Sequence, residues 1–345
     1  MNFQIAMLLG QDGVTNGAIY ALLALSILLV FTVTRILLIP QGEFVTYGAL
    51  TMAAIQAGHP TPLAWLLLVL TLIECALDLV ARWRAGKGLR IDRQMIVKCT
   101  YAIALIIAMR NLPLATLPVA FQALLTLCLV VPLGPRLYRL FFQPIAGASA
   151  LVLLIVSIAV HVAMVGVGLL VFGPEGARTT PFSQTGFEIG PVTLNSQTLW
   201  VLIMSVTLIF ALFLFFGRSL YGKALQATAV NRTGARLMGI SPDMAGKTTF
   251  ALATFIGCLS GILIAPITTL YFDSGFLISL KGFVGAIIGG LVSYPLAALG
   301  ALVVGLVEAF SMFWASNYKE VIVFTLIIPF LLWRSLKSHH VEEET

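Results

Sequence analysis

Stretches of about 20 apolar residues, the length a helix needs to cross the hydrocarbon of a bilayer, recur from Val14 to Trp333 with only short polar or Gly/Pro-marked breaks. A chain patterned this way has more apolar surface than one aqueous core can hide, so most of it must face lipid or other buried helices. Composition agrees: 59% of residues are hydrophobic, 10% are charged and the mean hydropathy is +1.02, against roughly one-quarter charged in soluble domains. The expected fold is all-α, a polytopic transmembrane helical bundle, with residues 1–345 forming one membrane domain.

Ten spans are expected, at 14–34, 38–58, 62–81, 95–110, 113–133, 148–172, 197–217, 247–271, 276–293 and 296–333. The last breaks near Ser316–Asn317, and dividing it into 296–314 and 319–333 makes eleven. Charge sets the orientation. If 14–34 runs from outside to inside and the spans alternate, the connections at Arg35, Arg82–Lys98, Arg136–Arg139 and Arg218–Lys247 and the Arg334–Lys337 tail share one side. They hold sixteen of the twenty Lys and Arg residues. Arg110, Arg178, Lys281 and Lys319 fall on the other. The positive-inside rule then puts the N-terminus outside and the C-terminus in the cytoplasm. The net charge of +6 therefore reads as orientation within a membrane, not as affinity for nucleic acid. The first segment has no positive n-region and no small-residue cleavage site, so it reads as a retained helix.

Four cysteines (Cys75, Cys99, Cys128, Cys258) lie in or beside apolar segments without the paired spacing of a metal site. His161 has no second His or Cys at ligand spacing, and no metal site is expected. Gly246-Lys247-Thr248 lacks the earlier glycine of a phosphate loop, Ser241 standing in its place, and follows no strand. The chain also lacks Gly-x-Ser-x-Gly and His-Glu-x-x-His patterns. No catalytic residue and no bound cofactor is expected. Glu43, Glu74, Asp78, His161 and Glu308 are ionisable groups in apolar surroundings, which marks each for function or for a partner. Glu43 is placed to favour a helix N-terminus, Glu74 and Asp78 form an i, i+4 pair facing nearby arginines, and Glu308 reads as lying near an aqueous end.

Two connections are long. Gly173–Ser196, on the outside, is rich in Gly, Pro, Thr and Ser; Arg218–Gly246, on the inside, is basic and helix-compatible. Within the latter, an Ala-rich run from Ala224, Arg232 and Arg236 one turn apart, and Gly239 as a helix stop predict a short surface helix. It is either a solvated connection or a docking helix for a cytoplasmic partner.

The run AVNRTGARLMGIS at Ala229–Ser241 resembles the cytoplasmic coupling segment of the branched-chain amino acid ABC transporter permeases. The segments Gly13–Leu50, Ala148–Glu175 and Lys281–Phe310 resemble that family in order and character. The last combines Gly282, Gly285, Gly289, Gly290, Gly300 and Gly305 with Pro295 and Glu308. The chain departs from the family at Leu38, Ile39, Pro40, Gln41, Gly42 and Glu43, where only the Gly-Glu end of an Asn-Phe-Ala-His-Gly-Glu run is kept. It departs again over residues 75–133, which read as an inserted pair of membrane segments.

The resemblance implies the permease subunit of an ATP-binding cassette importer in a bacterial inner membrane. Its partners would be a second, homologous or identical permease, two cytoplasmic ATPases that use ATP and Mg, an external substrate-binding protein and membrane lipid. The implied substrate is a branched-chain or related amino acid; alternatives are urea or short amides, or an autonomous ion-coupled carrier or channel. Asn231, Arg232, Arg236, Gly239 and Ile240 would couple to the ATPase through the 218–246 loop. Gln41, Gly42, Glu43, Gly285, Gly289, Gly290 and Glu308 are candidates for the translocation path or for helix packing, small residues at such spacing letting helices approach closely in lipid.

Overall fold

The computed structural model describes residues 3–84, 86, 92–183, 186–189, 192–291 and 293–337. Helices dominate: α1 (Phe3–Thr34), α2 (Gln41–Gln56), α3 (Leu63–Arg84), α4 (Arg93–Asn111), α5 (Val119–Val130), α6 (Leu133–Leu137), α7 (Ala150–Phe172) and α8 (Ser196–Arg218). They continue with α9 (Leu220–Val230), α10 (Arg232–Leu237), α11 (Pro242–Ile264), α12 (Ser274–Ile288), α13 (Tyr294–Trp314), α14 (Lys319–Thr325) and α15 (Ile327–Lys337). A small antiparallel hairpin, β1 (Gly186–Ile189) and β2 (Val192–Asn195), sits in the long connection before α8. α5, α6 and the turns that follow run on as one helical segment, Val119–Ile145.

Seven helical segments among the described residues are long and apolar enough to cross a membrane, fewer than the ten or eleven whole spans expected. The difference lies in four places. α2 and α12 have only 16 and 15 residues, about 24 and 22 Å at 1.5 Å per residue. α4 is diluted by Arg93, Lys98 and Arg110. The stretch 319–333 breaks at Leu326 between α14 and α15.

α1 is the axis of the bundle. Apolar all round, as a fully buried helix must be, it packs against α11, α12 and α13, and Ile19, Leu22, Leu23 and Leu28 have no exposed surface. Its antiparallel contact with α13 is backbone to backbone: a Cβ on Gly305 would strike Gly13 and Gly17, and one on Gly17 would strike Leu302. Between apolar helices in lipid the gain comes from such close dispersion contact rather than from expelled water. A second cluster, containing Phe44, Tyr47, Met52, Leu129, Phe142 and Phe250, joins α2, α5, α7 and α11. Within residues 75–133 the structure thus separates α4, which packs chiefly on α3, from α5, which packs on α2 and α11. The outer helices show large apolar side chains outward, Leu170, Val206 and Phe213 among them, where they suit lipid.

The charged side chains sort the bundle into two ends. At one end Lys98 meets Glu74 (2.6 Å), Arg139 meets Asp78 (2.5 Å) and Arg232 reaches the end of α1. At the other, Ala177 bridges Leu270, Arg178 donates to the Pro266 carbonyl (2.9 Å) and the Thr180 N–H donates to Gln56 (2.8 Å). Each long helix runs from one end to the other.

Candidate transport site and coupling surface

After α1 the chain does not stay at the basic end. Residues 35–40 turn back into the bundle, Arg35 taking a left-handed φ of 60°, and α2 begins beside the middle of two neighbours. Gln41 Nε2 donates to the Ala253 carbonyl (3.0 Å), and Glu43 Oε1 lies 3.1 Å from His161 Nδ1. Ala253 and His161 are each the twelfth residue of a 23-residue helix, α11 and α7. α2 is therefore a half-length helix that starts at mid-depth and runs to the non-basic end.

Irregular backbone at that depth requires internal partners, and α7 supplies them along one face. Ser157 Oγ accepts from the Ile39 N–H (3.0 Å) and donates to the Leu37 carbonyl (2.7 Å), and the Met164 carbonyl accepts from the Tyr47 hydroxyl (2.7 Å). Positions 157, 161, 164 and 168 fall on one helical stripe, with Gly168 lying against the Tyr47 ring.

α12 repeats the device in the opposite direction. After α11 the chain re-enters, and α12 starts where Gly275 crosses Gly42 so closely that a Cβ on either would strike the other's carbonyl oxygen. From there α12 runs toward the basic end, its Gly285 and Gly289 pressed on Ala301 and Ala297 of α13. Gly290 closes the helix with φ 68°. The candidate glycines of this block therefore turn toward the central helices of their own chain.

Lys281 does not fall among the charges of the outer side, where the alternation of spans puts it, and Glu308 does not sit at an aqueous end. Both are buried between α12 and α13. Lys281 Nζ lies 2.5 Å from Glu308 Oε1, and the Tyr20 hydroxyl donates to Glu308 Oε2 (2.6 Å). The carboxylate is saturated, which is what lets two charges stay in an apolar interior. Glu74 and Asp78 do meet basic partners, and Arg136, 7% exposed, joins them, donating to Thr71 Oγ1 (2.8 Å) 4.0 Å from Glu74. In the following connection the bond from Arg82 holds the Asp92 carboxyl below the usual carboxylate range.

The basic end carries the predicted surface helix as two pieces. Ser219 caps α9, and Asn231, in extended backbone, ends α9 and caps α10 through Oδ1 to the Gly234 N–H (2.9 Å). Gly239 takes φ 81°, and the Ile240 N–H returns to the Ala235 carbonyl (2.9 Å), a helix stop that only glycine adopts without strain. Leu220, Val230, Leu237 and Met238 are more than four-fifths exposed, an apolar patch beside the exposed Arg236. Arg232 turns inward instead, donating to the carbonyls of Val33 (3.1 Å) and Ala146 (3.4 Å). No group of three or more His, Cys, Asp or Glu side chains suited to a metal occurs among the described residues.

Residues 11–331 match the family described as branched-chain amino acid transport system / permease component. The high-affinity branched-chain amino acid transport system permease protein BraD of Pseudomonas aeruginosa is 28% identical over 208 residues, covering 58% of this chain and 68% of that protein. LivH of Escherichia coli K12, described in the same words, is 26% identical over 210 residues, covering 58% and 67%. No solved structure gives a significant match.

Proposed function

The chain belongs to the branched-chain amino acid transport permease family, and from that premise we propose that it is one half of the pore of an ATP-driven importer for branched-chain amino acids. It works in a bacterial inner membrane, with a homologous or identical second permease, two cytoplasmic ATPases that consume ATP and Mg, and an external protein that delivers the substrate. The basic end faces the cytoplasm, which puts the N-terminus outside and the C-terminus inside.

The observation that carries this reading is the surface of α9 and α10. A solvated connection has no use for Val230, Leu237 and Met238 standing 82 to 87% exposed at the charged end of a membrane bundle. A partner protein that buries them does. In this reading Arg236 and the apolar patch meet the ATPase, Asn231, Gly239 and Ile240 fix the shape of the docking segment, and Arg232 carries its displacement into the bundle. ATP-driven closure of the ATPase pair then shifts the pore between outward and inward states.

The test is the double substitution Arg232→Glu with Arg236→Glu. The variant is expected to reach the membrane but to lose stimulation of the partner ATPase and leucine uptake. Undiminished uptake refutes the docking role, and leucine transport by the purified chain alone in liposomes refutes the importer.

A further inference from the structure

Among the buried polar groups, the set where α2 crosses α12 is the least satisfied. Gln41, Glu43 and Thr46 have no exposed surface, yet Gln41 Oε1, Glu43 Oε2 and Thr46 Oγ1 have no hydrogen-bond partner. Glu43 meets only the edge of His161 at 3.1 Å. Neither α2 nor α12 has a side chain capping its first turn; the Gln41, Glu43, Ser274 and Phe276 N–H groups are taken by the carbonyls of Leu38, Pro40, Tyr271 and Asp273, so none of them satisfies these oxygens. Buried polar atoms are normally paired, and a purely structural junction has no reason to keep three of them unpaired.

One ring separates this cluster from an apolar groove. Phe276 stacks on His161, with centroids 4.6 Å apart and planes at 28°. It also lines a groove whose other walls include Ile27, Leu38, Leu280 and Phe283. A carboxylate, two further unpaired oxygens and an apolar trough within one side chain of each other match the ammonium group and the side chain of an aliphatic amino acid.

We propose that the α2–α12 crossing is a transit site at which the chain itself holds its substrate: Glu43, with Gln41 Oε1 and Thr46 Oγ1 beside it, takes the α-ammonium group, and the groove behind Phe276 takes the side chain. The inference rests on the import reading above and adds to it that the path is a selective station, not a bare apolar conduit. In the form described here the Phe276 ring closes the station.

The test is uptake of radiolabelled leucine by cells carrying the chain with its partner subunits. Glu43→Gln keeps the shape and removes the charge. It is expected to cut uptake at least about tenfold, the worth of trading a charge-assisted for a neutral hydrogen bond, with the ATPase still co-purifying; Glu43→Asp restores part of it. In parallel, Leu280→Cys is treated in membrane vesicles with a water-soluble methanethiosulfonate, against the unsubstituted chain as background. Labelling that leucine slows places substrate in the groove. Wild-type uptake by Glu43→Gln, or Leu280→Cys labelling that is absent or indifferent to leucine, overturns the transit site while the import reading stands. If Glu43→Gln fails to assemble, the cysteine result decides alone. Absence of leucine uptake by the unsubstituted assembly overturns the import reading, and the transit site with it.

Discussion

The buried triad of Lys281, Glu308 and Tyr20 permits a sharp prediction. Glu308 and Lys281 are 4% and 6% exposed, and both carboxylate oxygens are engaged at 2.5 and 2.6 Å. Replacing Glu308 by Met strands an ammonium group among α1, α12 and α13. Breaking one side of a buried pair costs about 3–5 kcal/mol. A ceiling comes from chemistry: a free lysine side chain gives up its proton at pH 7 for about 5 kcal/mol, so a stranded ammonium escapes by neutralising before the cost grows further. Replacing Lys281 alone by Met strands the carboxylate and should cost a similar amount. Replacing both by Met removes the two desolvation penalties together, and such exchanges are neutral to stabilising by about 1–4 kcal/mol. Against a total stability of about 5–15 kcal/mol, each single variant loses a large share and the double variant does not. Thermal midpoints of the purified chain in detergent, with abundance in the membrane as a second readout, measure the cycle. Two single variants as stable as the parent, or a double variant that falls by the sum of both, would refute the reasoning.

Four further outcomes are expected. Gly305→Val drives a branched side chain into the backbone of Gly13 and Gly17, at a cost of more than the 1–3 kcal/mol typical of overpacking, seen as loss of folded chain in detergent. Gly10→Ala, with nothing within 4 Å of the added carbon, should be neutral in the same assay. Ser157→Ala removes the hydroxyl that bridges the Ile39 N–H and the Leu37 carbonyl at mid-depth, leaving only the bond these two make to each other (3.0 Å), and should cost about 0.5–1.5 kcal/mol, with faster hydrogen exchange at Ile39 as its local signature. Gly239→Ala forces a left-handed φ of 81° on a residue with a Cβ and should cost about 1 kcal/mol, loosening α10 and raising proteolysis near Met238 without unfolding the spans.

The sequence carried the membrane class, the separation of charge between two ends and the Gly239 stop, because each is written in local pattern: apolar run length, loop charge and a glycine after a helical stretch. Glu74 and Asp78 were legible for the same reason, standing one turn apart before a basic stretch, although their partners, Lys98 of α4 and Arg139 after α6, come from other segments. Two features escaped it. The apolar character of 38–58 and 276–293 hides that each segment starts halfway into the bundle, since re-entry preserves hydropathy while changing geometry. The trace left in the sequence is polar punctuation in apolar surroundings, Pro40-Gln41-Gly42-Glu43 before one half-helix and Asp273-Ser274-Gly275 before the other. Lys281 was counted with the charges of the outer side because its partner stands 27 residues away, beyond any local pairing rule. A lone Lys inside an apolar run, with a lone Glu inside the next, is the signal that reads it correctly.

Arg232 shows how the two ends of the chain's machinery are joined. Its guanidinium spans two carbonyls that belong to different elements. Val33 closes α1, and ten residues further on the chain reaches Glu43 through the short re-entrant segment. Ala146 precedes α7, the helix that presents Ser157 and His161 to that same segment. In the proposed coupling, a displacement of α10 would act at the roots of both elements that frame the mid-depth pair, through a rigid planar group that engages two acceptors at once. Lysine in its place keeps the charge but has no fixed fork. A surface arginine that only obeyed topology would tolerate that exchange, whereas a link between α1 and α7 would not. The geometry favours the link, because an arginine serving topology alone gains nothing by leaving water for two backbone carbonyls.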